Sequence, residues 1–493
     1  MKKYIFIAIM LIGIPVLLQA QNEVDALRYS QNFFGGTTRA YSMAGAFGAL
    51  GGDFSSLSIN PAGVGVYRST EFTISPTLMY DKMEATFLGN RTLDSKYQFY
   101  LNNLGMVSTI KTNNENGFKS ITFGIGYNQL NNFHRNTLMH GRQEAVAGPV
   151  SSLPPPAGVP SSSYLDNFVN NANDNNWSDF YEELAWSTDL LPYDTDLEEY
   201  WNDIAEAGYG QWQRHRITEK GGIGEYAFSF GANYEDKLYM GATFGIHRLR
   251  YSRLIDHFED DDQDMIGYLN SFSFIEDLET FGTGYTFKIG MIYRPINLIR
   301  LGAAFHIPTF YKIREDFYTE MDATFDADPS TYERAPLNTF DYWLRTPYRA
   351  IGSVAIQIPR LAVISVDYEF VDYTATYMDS RDYAFVDENQ TIKNIYKPSS
   401  NIRAGAEVHL GAFYLRGGVA FYGSPYISNE INSDAYDLLG AGGIGFRSEN
   451  VFFDMGYSIR FNESTYYMYP EEILGATLNS RKNMFMTTLG FRF

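Results

Sequence analysis

Val451-Phe452-Phe453-Asp454-Met455-Gly456-Tyr457-Ser458-Ile459-Arg460-Phe461 alternates strictly. Val451, Phe453, Met455, Tyr457, Ile459 and Phe461 fall on one face; Phe452, Asp454, Gly456, Ser458 and Arg460 fall on the other. A period of two belongs to a β-strand, whereas a helix would scatter both sets around its circumference. One face is wholly apolar and the other carries charge, the pattern of a strand with lipid outside and a polar lumen inside. The same split recurs at 226–234, 281–293, 299–307, 362–370, 402–410 and 413–421, with Ser365, Asp367, Glu369, Arg403, Glu407 and Arg416 in the inward sets.

From about residue 69 the chain reads as a run of some fourteen such segments. Short connections at 113–117, 235–237, 294–297, 359–360, 411–412 and 448–450 alternate with long polar ones at 83–97, 134–221, 255–277, 314–346, 378–398, 424–436 and 463–480. This predicts an all-β membrane protein, a closed antiparallel barrel of about fourteen strands with short turns and both ends periplasmic and long loops outside. Closure is required because every backbone N–H and C=O in lipid must be paired between strands. The last segment, Phe485-Met486-Thr487-Thr488-Leu489-Gly490-Phe491-Arg492-Phe493, would be an aggregation-prone edge in a soluble protein. Its terminal aromatic resembles the signal by which outer-membrane barrels are handed to their assembly machinery. That machinery and outer-membrane lipid, lipopolysaccharide included, are the expected partners.

Composition agrees. Aromatics make up 16% of the 493 residues, with 38 Tyr and 37 Phe, and a barrel needs them both in the lipid-facing band and in the interfacial girdles. A net charge of −20 argues against nucleic acid, whose binders present basic stripes. The absence of cysteine excludes disulfides, thiolate catalysis, zinc–thiolate sites and a lipidated N-terminal Cys. Residues 1–20 read as a secretory signal peptide: Lys2 and Lys3, an apolar centre at 4–18, then Gln19-Ala20 at the cut. That centre is shorter than the roughly 20 residues of a spanning helix and contains Pro15.

No reactive constellation stands out, and a non-enzymatic protein without metal or cofactor is expected. Of the seven histidines, His134, His247 and His257 lie near outer strand ends, with Asp256 beside one, but no Ser–His pair with a polar third group is evident. The run Glu259-Asp260-Asp261-Asp262-Gln263-Asp264 lacks the turn glycine and distal Glu of a calcium loop and reads as a charged loop. The inward charges Asp367, Arg403, Glu407, Asp454 and Arg460 read as lumen salt bridges that seat a plug. In the long connection 134–221, residues 151–163 are Pro/Ser-rich, a composition that predicts an extended or mobile stretch. Residues 177–207 suit two helices broken at Pro192, with apolar faces from Phe180, Leu184, Tyr200, Trp201 and Ile204. Two readings fit that segment: a cap packed on its own loop, or an outer ledge that catches a greasy ligand.

Residues 21–68 differ from everything after them. Gly35-Gly36, Ala44-Gly45-Ala46-Phe47-Gly48-Ala49-Leu50-Gly51-Gly52 and Asn60-Pro61-Ala62-Gly63-Val64-Gly65 pack tightly and turn often, which suits a compact plug in the lumen. No Gly-Lys-Ser/Thr follows the glycines, so a nucleotide loop is not indicated. Arg39-Ala40-Tyr41-Ser42, the Gly/Ala run, Asp53, Ser55-Ser56 and Asn60-Pro61-Ala62 resemble the N-terminal hatch of the FadL family, outer-membrane transporters of long-chain fatty acids and aromatic hydrocarbons. The resemblance is strongest over residues 33–72. It implies a fourteen-strand barrel with an N-terminal hatch at 21–68, the barrel itself spanning 69–493. It further implies capture of a hydrophobic ligand by outer loops, passage to a lumen pocket, and lateral exit at a kinked third strand, here about 118–133. By that resemblance Asn60, Pro61, Ala62, Gly124 and Gly126 serve passage or gating, with Asn60-Pro61 facing the third strand; the alternatives are a turn at Asn60-Pro61 that ends the hatch and starts the first strand, and inward Gly124 and Gly126 that only make room for the hatch. Phe33, Phe34, Tyr41, Met43, Phe47 and Leu50 either line the ligand pocket or pack the hatch. The family's external groove uses loops after strands five and seven, whereas the longest insertion here follows strand three. Alternatives to transport are a structural or adhesive barrel with a permanently closed plug, and uptake of a haem-type ligand.

Overall fold

The computed structural model describes residues 22–112, 114, 116–145, 162–326, 329–469 and 475–493. Residues 1–20, where a signal peptide is expected, and most of the Pro/Ser-rich stretch fall outside the described residues. Fourteen antiparallel strands form one closed sheet. They are β1 (Glu71–Phe87), β2 (Asn90–Lys111), β3 (Phe118–Asn132, continued by Arg135–Arg142), β4 (Trp212–Tyr234), β5 (Leu238–Asp260), β6 (Leu269–Ile296) and β7 (Ile299–His306, continued by Phe310–Phe325). Then follow β8 (Asn338–Arg345 and Arg349–Ile358), β9 (Ala362–Asp372 and Tyr377–Asp379), β10 (Pro398–Leu410), β11 (Phe413–Tyr422), β12 (Asp437–Arg447), β13 (Val451–Tyr467) and β14 (Gly475–Arg492). Strand β14 pairs with β1 from Glu71↔Arg492 to Thr86↔Thr477 and closes the cylinder.

The outward positions are greasy and exposed, among them Phe228 and Phe230 of β4, Phe287 and Ile289 of β6, and Ile364 and Val366 of β9. Their neighbours in sequence, such as Thr286, Lys288, Ser365 and Asp367, are buried inside. This is the lipid-out, polar-in order that a membrane barrel requires.

The strands run further outward than the hydropathy pattern predicts. Residues 83–97, expected as a loop, continue the β1–β2 ladder to Phe87↔Asn90 and a two-residue turn at Leu88-Gly89, both with positive φ. The β5–β6 ladder likewise reaches Asp260↔Ser271, and the β13–β14 ladder reaches Tyr467↔Gly475. Apolar alternation ends where lipid ends, but backbone pairing continues above it with polar side chains on both faces. Pro308 and Pro347 interrupt β7 and β8 at adjacent points, since proline has no N–H to give the ladder. Thr309 and Thr346 close the break by exchanging backbone and side-chain hydrogen bonds of 2.9–3.0 Å.

Residues 22–68 fold inside the cylinder. Helix α1 (Glu23–Ser30) starts at Asn22, whose side chain caps it, and α2 (Thr38–Ser42) starts at Thr37. Helix α3 (Ser56–Ile59) leads to a 3₁₀ turn at Pro61–Val66, whose N-cap is Asn60. Helix α2 lies against β11–β14, and the 3₁₀ turn lies against β3–β6, so the segment spans the lumen wall to wall. Above it, the long third connection forms α4 (Tyr164–Asn173), α5 (Glu182–Ser187), a two-stranded hairpin pairing Tyr193–Asp194 with Glu199–Tyr200, and α6 (Asp203–Ala207). Phe180, Leu184 and Ile204 are buried in a core with Phe272, Phe274 and Phe317 of the wall, so this connection is a cap. Helix α7 (Val386–Ile395) stands beside α1 at the mouth.

Candidate functional site

The β2–β3 ladder runs from Lys111↔Ser120 to Asn103↔Asn128 and stops there. Above that pair, β2 continues with β1 alone, and β3 continues with β4 alone. The cause lies in β3. Its register slips between Gln129 and Asn131, its strand breaks at Phe133-His134, and 135–142 then lie against the inner face of β1 and β2 without joining their ladder. Arg135 holds it there, donating to Ser480 Oγ at 3.0 Å and pairing with Asp81 at 3.5 Å, while Met139 packs with Met83 and Ala85.

Among the described residues, only side chains bridge the resulting slot by hydrogen bonds. Thr92 donates to the Leu138 carbonyl, and Lys96 donates to Asn136 Oδ1 and the Glu219 carbonyl, both at 3.2 Å. Gln98 meets His134 Nε2 at 3.0 Å and accepts from Asn132 Nδ2 at 2.8 Å. Outside, Tyr97 and Phe99 are 70% and 73% exposed because β1 flanks them on one side and no strand does on the other. Inside, the chain at 31–36 stands in for the missing partner: Phe33 N donates to the Leu130 carbonyl at 3.0 Å, and Asn102 and Asn131 donate to the carbonyls of Gly36 and Gln31.

A buried polar chain ties the last β2–β3 pair to the hatch. Thr73 donates to Asn103 (2.9 Å), Asn103 to Asn128 (2.8 Å), Asn128 to Ser58 (2.7 Å) and Ser58 to Glu225 (2.6 Å). Lys288 neutralises Glu225 at 2.6 and 2.8 Å. Each member is buried and has a partner, so the chain acts as a unit rather than as loose contacts.

Beside the slot, above Phe33, lies a cavity of about 400 Å³, within the size range of small-molecule pockets. Leu27, Phe33, Phe133, Ile255, Tyr422 and Leu478 supply apolar surface; Arg28, Arg135, Arg253, Arg460 and Lys482 supply positive charge against Glu219 and Asp437. Arg460 pairs with Asp437 and lies 3.6 Å over the Phe33 ring. An apolar body and an acidic head would both find complementary surface. A second cavity of about 50 Å³ beneath it is polar, lined by His247, Lys288, His306, Arg349, Glu369 and Arg403, and has room for water.

The residues singled out from sequence distribute unevenly around these cavities. Phe33 lines both cavities and Phe34 the smaller one, whereas Tyr41, Met43, Phe47 and Leu50 pack between hatch and wall. Asn60 faces β6 rather than the third strand: it donates to the Gly48 carbonyl at 2.6 Å and to Met291 O at 3.3 Å, and accepts from Ala62 N. Pro61 abuts Gly241 of β5, and Ala62 packs with Tyr239 and Ile292. Gly124 and Gly126 lie below the kink, in the paired part of β3, under Leu57 and Phe54 of the hatch. A side chain at Gly126 would also strike the Leu104 carbonyl, so close packing explains this glycine.

Sequence reading passed over Asn103, Asn128, Ser58, Glu225, Gln98 and the position of the break. The signal available was Asn128-Gln129-Leu130-Asn131-Asn132, an amide-rich run that interrupts alternation. The histidines near the strand tops are engaged: His247 with Tyr311 (2.8 Å), and His257 with His215 (3.1 Å) and Glu259 (2.9 Å). In the acidic run, Asp261 accepts from the amides of Met265 and Ile266, and Glu259 accepts from Tyr164 N and Gln211.

No family model matches the chain, and no curated protein matches its sequence. Solved structures do. A FadL homologue of Pseudomonas aeruginosa, 14% identical, aligns over 94% of this chain and 100% of its own with a TM-score of 0.55. The toluene transporter TodX of P. putida is 10% identical over 94% and 99%, with a TM-score of 0.54. The toluene transporter TbuX of Ralstonia pickettii is 14% identical over 94% and 99%, at 0.50. Fourteen strands closed around an N-terminal segment, matched along nearly the whole chain by these proteins, give it the FadL fold, that of an outer-membrane β-barrel.

Proposed function

We propose that the protein passively admits hydrophobic small molecules, long-chain fatty acids or aromatic hydrocarbons, across the outer membrane of a Gram-negative cell. The ligand is caught by the outer loops, enters the cavity above Phe33, and leaves sideways between β2 and β3. The observation that carries this reading is the end of the β2–β3 ladder at Asn103↔Asn128 beside a 400 Å³ cavity. Lateral release suits the cargo, because an apolar solute gains by entering the bilayer rather than crossing water. Opening needs the 31–36 segment to yield and the Gln98, Asn132 and His134 side chains to part, with no strand pairing broken. Trp186, Tyr193, Leu197 and Trp201, exposed on the cap, are the candidate capture surface. Asn60, Pro61 and Ala62 anchor the hatch base on β5 and β6, while Gly124 and Gly126 seat it beneath the slot. Its structural neighbours, a FadL homologue and toluene transporters, support a transport role and a non-enzymatic one.

The chain has no cysteine, which makes the test clean. Gln98→Cys with Asn132→Cys, joined by a short bis-maleimide, is expected to reduce accumulation of labelled oleate and toluene to that of cells lacking the protein. Either single variant should transport normally. Unchanged uptake after cross-linking would refute lateral exit. Equal accumulation with and without the native protein would refute transport and leave the adhesive barrel standing.

A further inference from the structure

The outer surface of β5–β8 changes chemistry in steps as the strands rise. The aligned outward residues Ile246, Tyr285 and Phe310 end the apolar band, and Arg345 stands beside Phe310 at its edge. One step up the register stand Arg248, Thr283, Lys312 and Trp343, and the next row is Arg250, Phe281, Arg314 and Asp341. Carboxylates take over above them, with Glu279 opposite Asp316. These side chains face outward because the residues between them, Leu249, Gly282, Ile313 and Leu344, are buried. Arg248 lies eleven residues above the turn at Lys237. At the usual rise and tilt of barrel strands that is roughly 25–30 Å, the height at which an apolar band about 25 Å tall gives way to headgroups.

The positive charge of this patch is largely unspent. Arg314 is held by Asp341 at 2.9 and 3.0 Å, but Arg248, Arg250, Lys312 and Arg345 form no ion pair among the described residues. They are instead steadied along the sheet: Arg248 donates to Thr283 Oγ1 at 3.0 Å, Arg250 lies 5.8 Å over Phe281 and Arg345 lies 5.2 Å over Tyr377. In a protein of net charge −20, such a concentration of free cations is not a solubility device. Between them is a surface cavity of about 290 Å³ lined by Arg248, Phe281, Thr283, Lys312, Arg314 and Asp341.

We propose that this patch binds the phosphate groups of a phosphorylated glycolipid of the outer leaflet, whose acyl chains lie on the apolar rows directly below. Guanidinium forks match phosphate oxygens two at a time, the ammonium of Lys312 adds a point charge, and Asp341 keeps Arg314 pointing along the surface. Continuity with the lipid-facing band argues for a lipid rather than free phosphate. The inference rests on the barrel's place in the outer membrane and is independent of what it transports.

Native mass spectrometry of the detergent-purified protein tests it, with bisphosphorylated lipid A, its dephosphorylated form and inorganic phosphate as probes. The native protein should prefer the bisphosphorylated lipid by about tenfold or more, the difference made by one or two charge-assisted hydrogen bonds. Arg248→Gln/Arg250→Gln/Lys312→Gln should abolish the preference while keeping the mobility shift of a folded barrel on unheated gels. Lys82→Gln/Arg481→Gln, a pair facing outward across β1 and β14, should leave it intact. Preference surviving the triple change, equal loss in the Lys82/Arg481 pair, or full displacement by millimolar phosphate would each overturn the assignment.

Discussion

Arg39 reaches from the hatch to the wall and meets Glu407 through two hydrogen bonds of 2.9 Å. Glu407 also takes 2.6 Å from Arg416, which holds Asp454 at 2.7 Å. Asp367 meanwhile accepts from the amides of Phe47 and Gly48, with Arg403 beside it at 3.9 Å. Charges taken out of water need such partners, and removing one member of a buried pair costs about 3–5 kcal/mol. Arg39→Ala is therefore expected to loosen the hatch by an amount of that order and to raise single-channel conductance in planar bilayers. Arg39→Lys should recover part of the loss, since an ammonium lacks the guanidinium fork. Unchanged conductance in Arg39→Ala would mean that the other hatch contacts suffice. At this scale the sequence was legible in kind: inward Asp367, Arg403, Glu407 and Asp454 announce a charged lumen. Which carboxylate meets which cation was not, because residues 39 and 407 are brought together only by the closed barrel.

At the scale of elements, β3 shows how far alternation can be trusted. Residues 118–128 alternate and pair on both sides; beyond them the amide-rich run ends the pattern, yet the strand itself continues to Arg142. Backbone groups of β2 above Asn102 that point toward the slot lack a ladder partner, and exchange protection follows such pairing. Hydrogen–deuterium exchange should find every second amide between 91 and 101 labelled quickly, against strong protection at 103–111. Uniform protection along β2 would show that the slot is closed in solution. The third connection carries the same lesson: Pro192 marks a break, as read from sequence, but the chain there makes a hairpin, and α4 arises upstream. Its start was hidden in plain composition, for Ser163 and Asp166 form a capping box visible only once the helix direction is known.

For the whole molecule, the cap joins parts remote in sequence. Leu165, Phe168 and Leu190 share one core with Tyr29 of α1 and with Phe272 and Phe317 of the wall, so the mouth, the hatch and the barrel stabilise one another. Asp166 sits in that assembly, accepting from Ser163 N, Asn202 and Tyr209. Burial pushes its carboxyl up to about 7, and Glu259 adds to the rise against the hydrogen bonds that lower it. A raised carboxyl pKa favours the protonated folded form, so the cap is most stable below the unfolded value near 4 and loses stability as pH rises toward 7. Exchange at α4, corrected for the intrinsic rate, should accordingly be slower at pH 5 than at pH 8, and Asp166→Asn should flatten that dependence. A cap equally protected at both pH values would remove Asp166 from this role. What the sequence by itself determined is the lipid-facing period, the turn count, the direction of the strands and the small-residue segment that fills the lumen. Each of these reports a residue's own surroundings, and those are written locally. Only the tertiary structure decided where the β2–β3 ladder ends, that Asn60 rests on β6, and that the third connection covers the mouth. These outcomes follow from contacts such as Phe33 with Leu130 and Arg135 with Asp81, whose partners lie dozens of residues apart and meet only when the cylinder closes.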